Sequence, residues 1–71
     1  MMKILLIGSG GREHALAWAI SGSAMTETLL IAPGSDAMAA LGRCVDVAAD
    51  DLDGLLALAE AEQPDLVVVG P

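Results

Sequence analysis

The chain has 71 residues, 55% of them hydrophobic, and its three basic and ten acidic residues give a formal net charge of −7. This length allows at most one small domain, which would bury only about 60% of the surface of its unfolded chain. So few basic residues exclude a nucleic-acid surface, and the longest unbroken apolar runs, Ile4–Ile7 and Ala15–Ile20, are far shorter than the roughly 18 residues of a membrane-spanning helix.

Four apolar runs of strand length follow one another along the chain. The first, second and fourth are almost continuously apolar, which is typical of parallel strands covered on both faces. The single cysteine allows no internal disulfide, and its place in the third run predicts a small buried side chain and a cytoplasmic, reducing environment. The four runs are Lys3–Ile7, Thr28–Ala32, Cys44–Ala48 and Asp65–Val69.

Helical patterns separate these runs. The segment "REHALAWAIS" after the first strand is apolar almost all round, so it should be largely covered, with Trp18 packed in the core. The segment "SDAMAALG" predicts a short helical turn, and "DLDGLLALAEAE" predicts a helix capped by Asp50 or Asp51. In that last helix the apolar face is formed by Leu52, Leu55, Leu56 and Ala59, and the acids left to water are Asp53, Glu60 and Glu62.

The alternation of strands and helices predicts a doubly wound, Rossmann-like parallel α/β sheet. Right-handed crossovers favour the strand order 3-2-1-4, in which strands one and four are neighbours where the winding reverses. Ligands of such sheets bind outside the carboxyl ends of the strands at that reversal. The loops after Ile7 and Val69 should therefore face one crevice, which places Gly70 and Pro71 in the site.

The glycines of "IGSGGREH" lie where the first strand turns into the first helix. A helix that begins there leaves its first N–H groups free, with the positive end of the helix dipole behind them. Glycines allow an anion such as phosphate to approach this backbone, and Gly8, Gly10 and Gly11 supply that room. The pattern alone indicates an anion site only when it joins a strand to a helix, as it does here.

Two departures argue against a dinucleotide fold of the dehydrogenase type. The third glycine of the usual fingerprint is replaced by Glu13, and the turn Ala32–Gly34 offers no acid for a ribose hydroxyl. A first-turn Glu13 could cap the helix or bind a ligand hydroxyl, and Arg12 could bind phosphate or carboxylate or be merely solvated. His14 has no partner at metal-ligand or catalytic spacing, so neither a metal site nor a catalytic residue is predicted.

The segments "KILLIGSGGREHALAWAI", "ETLLIAPGSDAMA" and "PDLVVVGP" resemble, in order and spacing, the amino-terminal region of the glycinamide ribonucleotide synthetase family. The resemblance spans residues 1–71, and "GGREHALAW" is its most specific part. It implies a Rossmann-like substrate-binding segment of an incomplete domain in an ATP-grasp ligase of purine synthesis. Such enzymes join glycine to 5-phosphoribosylamine, with ATP and Mg²⁺ or Mn²⁺ bound by domains outside this chain. The segment alone would be inactive.

Carried onto this sequence, the resemblance implies that the loop Gly8–Glu13 holds the phosphate or ribose of the substrate. Backbone donors would come from Gly10, Gly11 and Arg12, and Glu13 would contact the ribose or the amine. The turns Pro33–Gly34 and Gly70–Pro71 would complete the wall. Ser35 and Asp36 stand where the family has an Asn-containing turn, so this sequence departs from the family pattern after the second strand.

Other interpretations remain open at this stage. The chain could be a stand-alone nucleotide or sugar-phosphate binding module, or a dinucleotide-binding fragment of a dehydrogenase. Its open fourth strand and uncovered aliphatic faces predict contact with the remainder of a longer enzyme or self-association.

Overall fold

Residues 1–70 are described by the computed structural model, and Pro71 lies outside the described residues. They form a four-stranded, all-parallel sheet in the order β3-β2-β1-β4, which confirms the predicted α/β architecture. The central strand β1 pairs with β2 from Met2 to Gly8 and with β4 from Ile4 to Ile7. The elements are β1 (Met2–Gly8), α1 (Gly11–Ser21), β2 (Thr26–Pro33), a short 3₁₀ turn (Ala37–Ala40), β3 (Arg43–Cys44), α2 (Leu52–Glu62) and β4 (Leu66–Val69).

The core lies on both faces of the two central strands, because alternate residues of a strand point to opposite sides. One cluster packs under α1 and the 3₁₀ turn, and consists of Ile4, Leu6, Ala17, Leu29, Ile31 and Met38. The other packs against Leu55 and Leu58 of α2, and consists of Leu5, Leu30 and Ala32. Each fully buried Leu or Ile contributes roughly 1.5–3 kcal/mol of hydrophobic stabilisation, which explains why β1 and β2 are continuously apolar.

The helix α2 is fixed at both ends. The carboxylate of Asp51 accepts a hydrogen bond of 3.0 Å from the Gly54 amide, so Asp51 is the N-cap of the two candidates. At the other end Glu62 forms 2.9 Å ion pairs with Lys3 and with Arg43. The prediction that Glu62 is left to water is therefore wrong: hydrogen bonds from Lys3 and then Arg43 lower the pKa of its carboxyl group.

The covering of the helices and of β4 differs from the prediction. Trp18 is 70% exposed rather than packed in the core, because α1 is buried only at Glu13 and Ala17. On α2, Leu52 and Leu56 are 78% and 61% exposed. In β4, Leu66, Val67 and Val69 are exposed. No described strand pairs with the outer edge of β4, as expected of an open fourth strand.

The third strand is shorter than predicted. It covers Arg43–Cys44 instead of Cys44–Ala48, and the chain leaves the sheet after Val45, whose amide donates to the Ile31 carbonyl at 2.8 Å. Cys44 is half-buried against the α1 side of the core, not fully buried as expected. Within residues 1–70, neither helix has the length and apolarity needed to cross a membrane.

Candidate functional site

The loops that follow β1, β2 and β4 meet at the carboxyl end of the sheet. The Gly34 amide donates to the Gly8 carbonyl at 3.1 Å, and the Gly70 amide donates to the Ile7 carbonyl at 3.0 Å. Pro33 is paired with Gly8 in the β1–β2 register. The structure thus brings these predicted site residues together at the carboxyl end of the sheet, where the crevice is predicted, but the Gly34 and Gly70 amides already donate to the protein itself and are not free to bind a ligand.

The front of α1 lies at this same edge of the sheet, beside Gly8 and Gly70. Gly10 is its N-cap in extended conformation, with no side chain capping the helix, and the first helical bond runs from the His14 amide to the Gly10 carbonyl at 3.0 Å. No acceptor within residues 1–70 bonds the amides of Gly11, Arg12 or Glu13. Gly10, Gly11 and Arg12 are exposed, and a Cβ atom at Gly11 would meet nothing within 4 Å. Unbonded N–H groups at the exposed start of a helix are suited to bind an anion.

The side chain of Glu13 lies among three of the glycines. It is only 9% exposed, although it is a charged residue in the first turn of a helix. A Cβ atom at Gly8 would lie 2.6 Å from Glu13 Oε1, one at Gly70 would lie 2.5 Å from the same oxygen, and one at Gly10 would lie 3.2 Å from Oε2. These separations are shorter than ordinary carbon–oxygen contacts. Missing side chains at Gly8 and Gly70 therefore make room for Glu13.

The glycines at this edge of the sheet fall into two groups in the structure. Gly11 leaves open space in front of the helix, as expected of a residue that admits an anion. Gly8, which also has a φ of 142°, and Gly70 accommodate a carboxylate of the protein itself. The space into which a Cβ at Gly8 would project is occupied by Glu13.

The Glu13 carboxylate does not act as a helix cap. In a capping box it would accept the amide of the N-cap residue Gly10, and no hydrogen bond from Gly10 to the Glu13 side chain is formed. None of the described residues donates a hydrogen bond to it, yet no buried polar side-chain atom within residues 1–70 is left without a partner. Its oxygens therefore keep some contact with solvent.

The basic residues are distributed unevenly over the sheet. Lys3 and Arg43 are both paired with Glu62 near the amino end of β1. Arg12 is exposed at the front of α1 and has no ion-pair partner among the described residues. The carboxyl end of the sheet thus carries an available guanidinium on its exposed side and a buried carboxylate beside it.

The packing of Cys44 against the turn that follows β2 was not predicted from the sequence. Gly34 has a φ of 71°, and a Cβ atom there would lie 2.6 Å from the Sγ atom of Cys44. The half-buried thiol supports this turn from behind, at 3.6 Å from the Ser35 carbonyl oxygen. No sequence signal identifies this contact, because it joins the turn after β2 to a residue of β3 ten positions further along the chain.

Other features lie away from the crevice or add nothing to it. His14 is exposed on α1. Within residues 1–70, no three His, Cys, Asp or Glu side chains are grouped so that they could hold a metal ion. A surface cavity of about 480 Å³ lies at the opposite end of α1, lined by Trp18, Ala19, Ser21, Gly22, Ser23 and Leu41.

Comparison with known proteins places this fold and loop in a family. The family model described as "Phosphoribosylglycinamide synthetase, N domain" matches residues 2–71. The chain belongs to this family. A phosphoribosylamine–glycine ligase of Xanthomonas campestris pv. campestris is 60% identical over 72 residues, which cover 99% of this chain and 17% of that protein. Proteins of the same name from Caulobacter vibrioides and Brucella melitensis are 53% and 51% identical over 99% of the chain.

This is the family that the glycine loop and the carboxyl ends of β2 and β4 resemble in sequence. The chain spans about a sixth of the length of these relatives, 16–17% in each case.

Proposed function

We propose that the chain is the substrate-binding amino-terminal part of an ATP-dependent ligase that joins glycine to 5-phosphoribosylamine, giving glycinamide ribonucleotide, ADP and phosphate in purine synthesis. In this proposal the crevice at the carboxyl end of β1 holds the phosphoribosyl substrate. The relatives named phosphoribosylamine–glycine ligase support the reaction, and the crevice supports the part played by this segment.

The observation that carries the proposal is the row of unbonded amides at Gly11, Arg12 and Glu13, with open space before Gly11. A dianionic phosphate would accept these N–H groups and gain from the positive end of the α1 dipole. Arg12 would add a charge-assisted hydrogen bond. Since Lys3 and Arg43 are held at Glu62, Arg12 is the basic side chain placed to do so.

ATP and a divalent metal supply the activation of the glycine carboxylate in this proposed reaction. The described residues do not fit either group: they contain no metal-binding cluster, and the glycine loop lacks the Gly-Lys-Ser/Thr of a phosphate-binding loop for nucleotides. The part of this chain is to bind and orient the sugar phosphate.

The test is a titration of the chain with ribose 5-phosphate, NAD and ATP, followed by amide chemical shifts. The expected result is that ribose 5-phosphate perturbs Gly10–Glu13 while ATP and NAD have little effect. Gly11→Val places a branched side chain in the open space and should reduce ribose 5-phosphate affinity about tenfold or more, because it removes access to charge-assisted bonds. Gly22→Val is the matched control, since a Cβ there meets nothing closer than 3.6 Å.

Two results would contradict the proposal. Equal affinities of the Gly11→Val and Gly22→Val chains for ribose 5-phosphate would show that the front of α1 does not bind the anion. Perturbation of the loop by NAD but not by the sugar phosphate would instead favour a dinucleotide-binding fragment.

A further inference from the structure

The register of β4 against β1 decides which residue stands beside the front of α1, yet the side chains of β4 do not specify it. All four residues of β4, Leu66–Val69, are aliphatic, and only Val68 is half-buried against the core. A one-residue slip exchanges the two faces of a strand. In β4 such a slip would put Val67 or Val69 in the place of Val68, so one valine would replace another.

The carboxyl end of β4 opposes a slip in one direction only. A slip that moved Val69 into the place of Gly70 would bring a Cβ to 2.5 Å from Glu13 Oε1, which is closer than real Cβ atoms approach. In the other direction Gly70 would move away from Glu13 by about 3.3 Å along the strand. Its amide would then lose the hydrogen bond to the Ile7 carbonyl, but Glu13 does not oppose that movement.

At the amino end, Asp65 opposes the slip that Glu13 permits. The Asp65 carboxylate accepts a hydrogen bond of 2.8 Å from the Lys3 amide, and the Asp65 amide donates to the Lys3 carbonyl at 2.7 Å. Lys3 is itself fixed, because its Nζ atom forms a 2.9 Å ion pair with Glu62 at the end of α2. If β4 slipped toward its amino end, Leu66 would take the place of Asp65 and the Lys3 amide would lose its charged acceptor. Bonds to ionised acceptors are among the stronger hydrogen bonds of a protein.

We infer that Asp65 is a positioning residue, which sets the register of β4 and thereby keeps Gly70 beside Glu13 at the edge of the sheet where the phosphoribosyl substrate is proposed to bind. The inference rests on the proposed function, because it gives Asp65 a part in substrate binding from the other end of the strand. Only chains in the native register bind at full affinity, so the apparent dissociation constant rises as the fraction of such chains falls.

The experiment measures register and affinity separately in Asp65→Ala. NOE contacts between the backbones of β1 and β4 report the register, and hydrogen exchange of the Gly70 amide reports its bond to Ile7. Asp65→Ala should show a second register, and the Gly70 amide should exchange about tenfold faster or more, the effect of losing a hydrogen bond to a charged group. The apparent dissociation constant for ribose 5-phosphate should rise by the inverse of the native-register fraction.

Further variants control for loss of stability and of charge. Asp51→Ala removes the cap of α2 and destabilises the chain away from β4, so it should leave the β1–β4 contacts and the ribose 5-phosphate affinity unchanged. Asp65→Asn keeps an oxygen that can accept the Lys3 amide, and should restore the native register and an affinity within about twofold of wild type. If Asp65→Ala lacks the dispersed amide spectrum of a folded chain, Asp65→Glu replaces it with the same expected results, because its carboxylate is displaced by one methylene group.

The outcomes separate the inference from the proposed function. A single native register in Asp65→Ala, with Gly70 exchange equal to that of Asp51→Ala, would overturn the inference. A second register that leaves the ribose 5-phosphate affinity unchanged would also overturn it, because Asp65 would then have no part in binding. If the wild-type chain does not bind ribose 5-phosphate at Gly10–Glu13, the proposed function fails and the role of the register in binding fails with it. The NOE contacts still decide, without any ligand, whether Asp65 sets the register.

Discussion

Substitution of Gly70 by alanine tests whether the glycines at the strand ends make room for Glu13. The new Cβ would lie 2.5 Å from Glu13 Oε1, which is closer than atoms of this kind can approach, so the Glu13 side chain must leave its rotamer. A side chain displaced from its preferred torsion costs about 0.5–1.5 kcal/mol. In a domain of this size, about 1 kcal/mol lowers the melting temperature by roughly 4–8 °C.

The assay is a double-mutant cycle measured by urea denaturation. Gly70→Ala should lower the free energy of unfolding by about 0.5–1.5 kcal/mol in the wild-type background. In a Glu13→Ala background the obstacle is gone, and the same change should cost less than about 0.5 kcal/mol.

Gly8→Ala provides an internal contrast. The φ of 142° at Gly8 is unfavourable for any residue with a Cβ, so part of its cost should persist in the Glu13→Ala background. If the effects of Gly70→Ala and Glu13→Ala add within about 0.3–0.5 kcal/mol, Gly70 is a glycine for another reason and the packing argument is refuted.

Two further predictions concern the body of the fold. Leu6→Ala removes a fully buried side chain at the centre of β1 and should lower the free energy of unfolding by about 2–5 kcal/mol. The control is Leu56→Ala, at a 61% exposed position, which should change the free energy of unfolding by no more than about 0.5 kcal/mol. Equal effects of the two substitutions in urea denaturation would contradict the assigned core. Because the pKa of Glu62 is lowered on folding from 4.5, its contribution to stability is present above that value and is lost as the pH falls through the folded-state pKa. Melting temperatures measured from pH 6 down to pH 3 should therefore fall less steeply for Glu62→Gln than for the matched Glu60→Gln, and parallel profiles would show that the two ion pairs contribute nothing.

The strand order and the place of the crevice could be predicted from the sequence because they depend on local and general properties. Continuous apolar runs indicate strands covered on both faces, and β1 and β2 are so covered along their centres. The handedness of crossovers then leaves the observed order, and parallel strands bring the ends of β1 and β4 to one edge. The capping of α2 by Asp51 is equally local, since it involves an amide three residues away.

The contacts that give the crevice its chemistry depend on residues distant in the chain, and only the tertiary structure decided them. Glu13 has the same first-turn position whether it caps the helix or enters the crevice, and its location between Gly8 and Gly70 follows from the pairing of β1 with β4. A helix with apolar residues all round does not specify which of them faces the sheet, so the exposure of Trp18 had no local signal. Periodicity describes the two faces of an element, whereas the partner that each face meets is set by how the elements pack together.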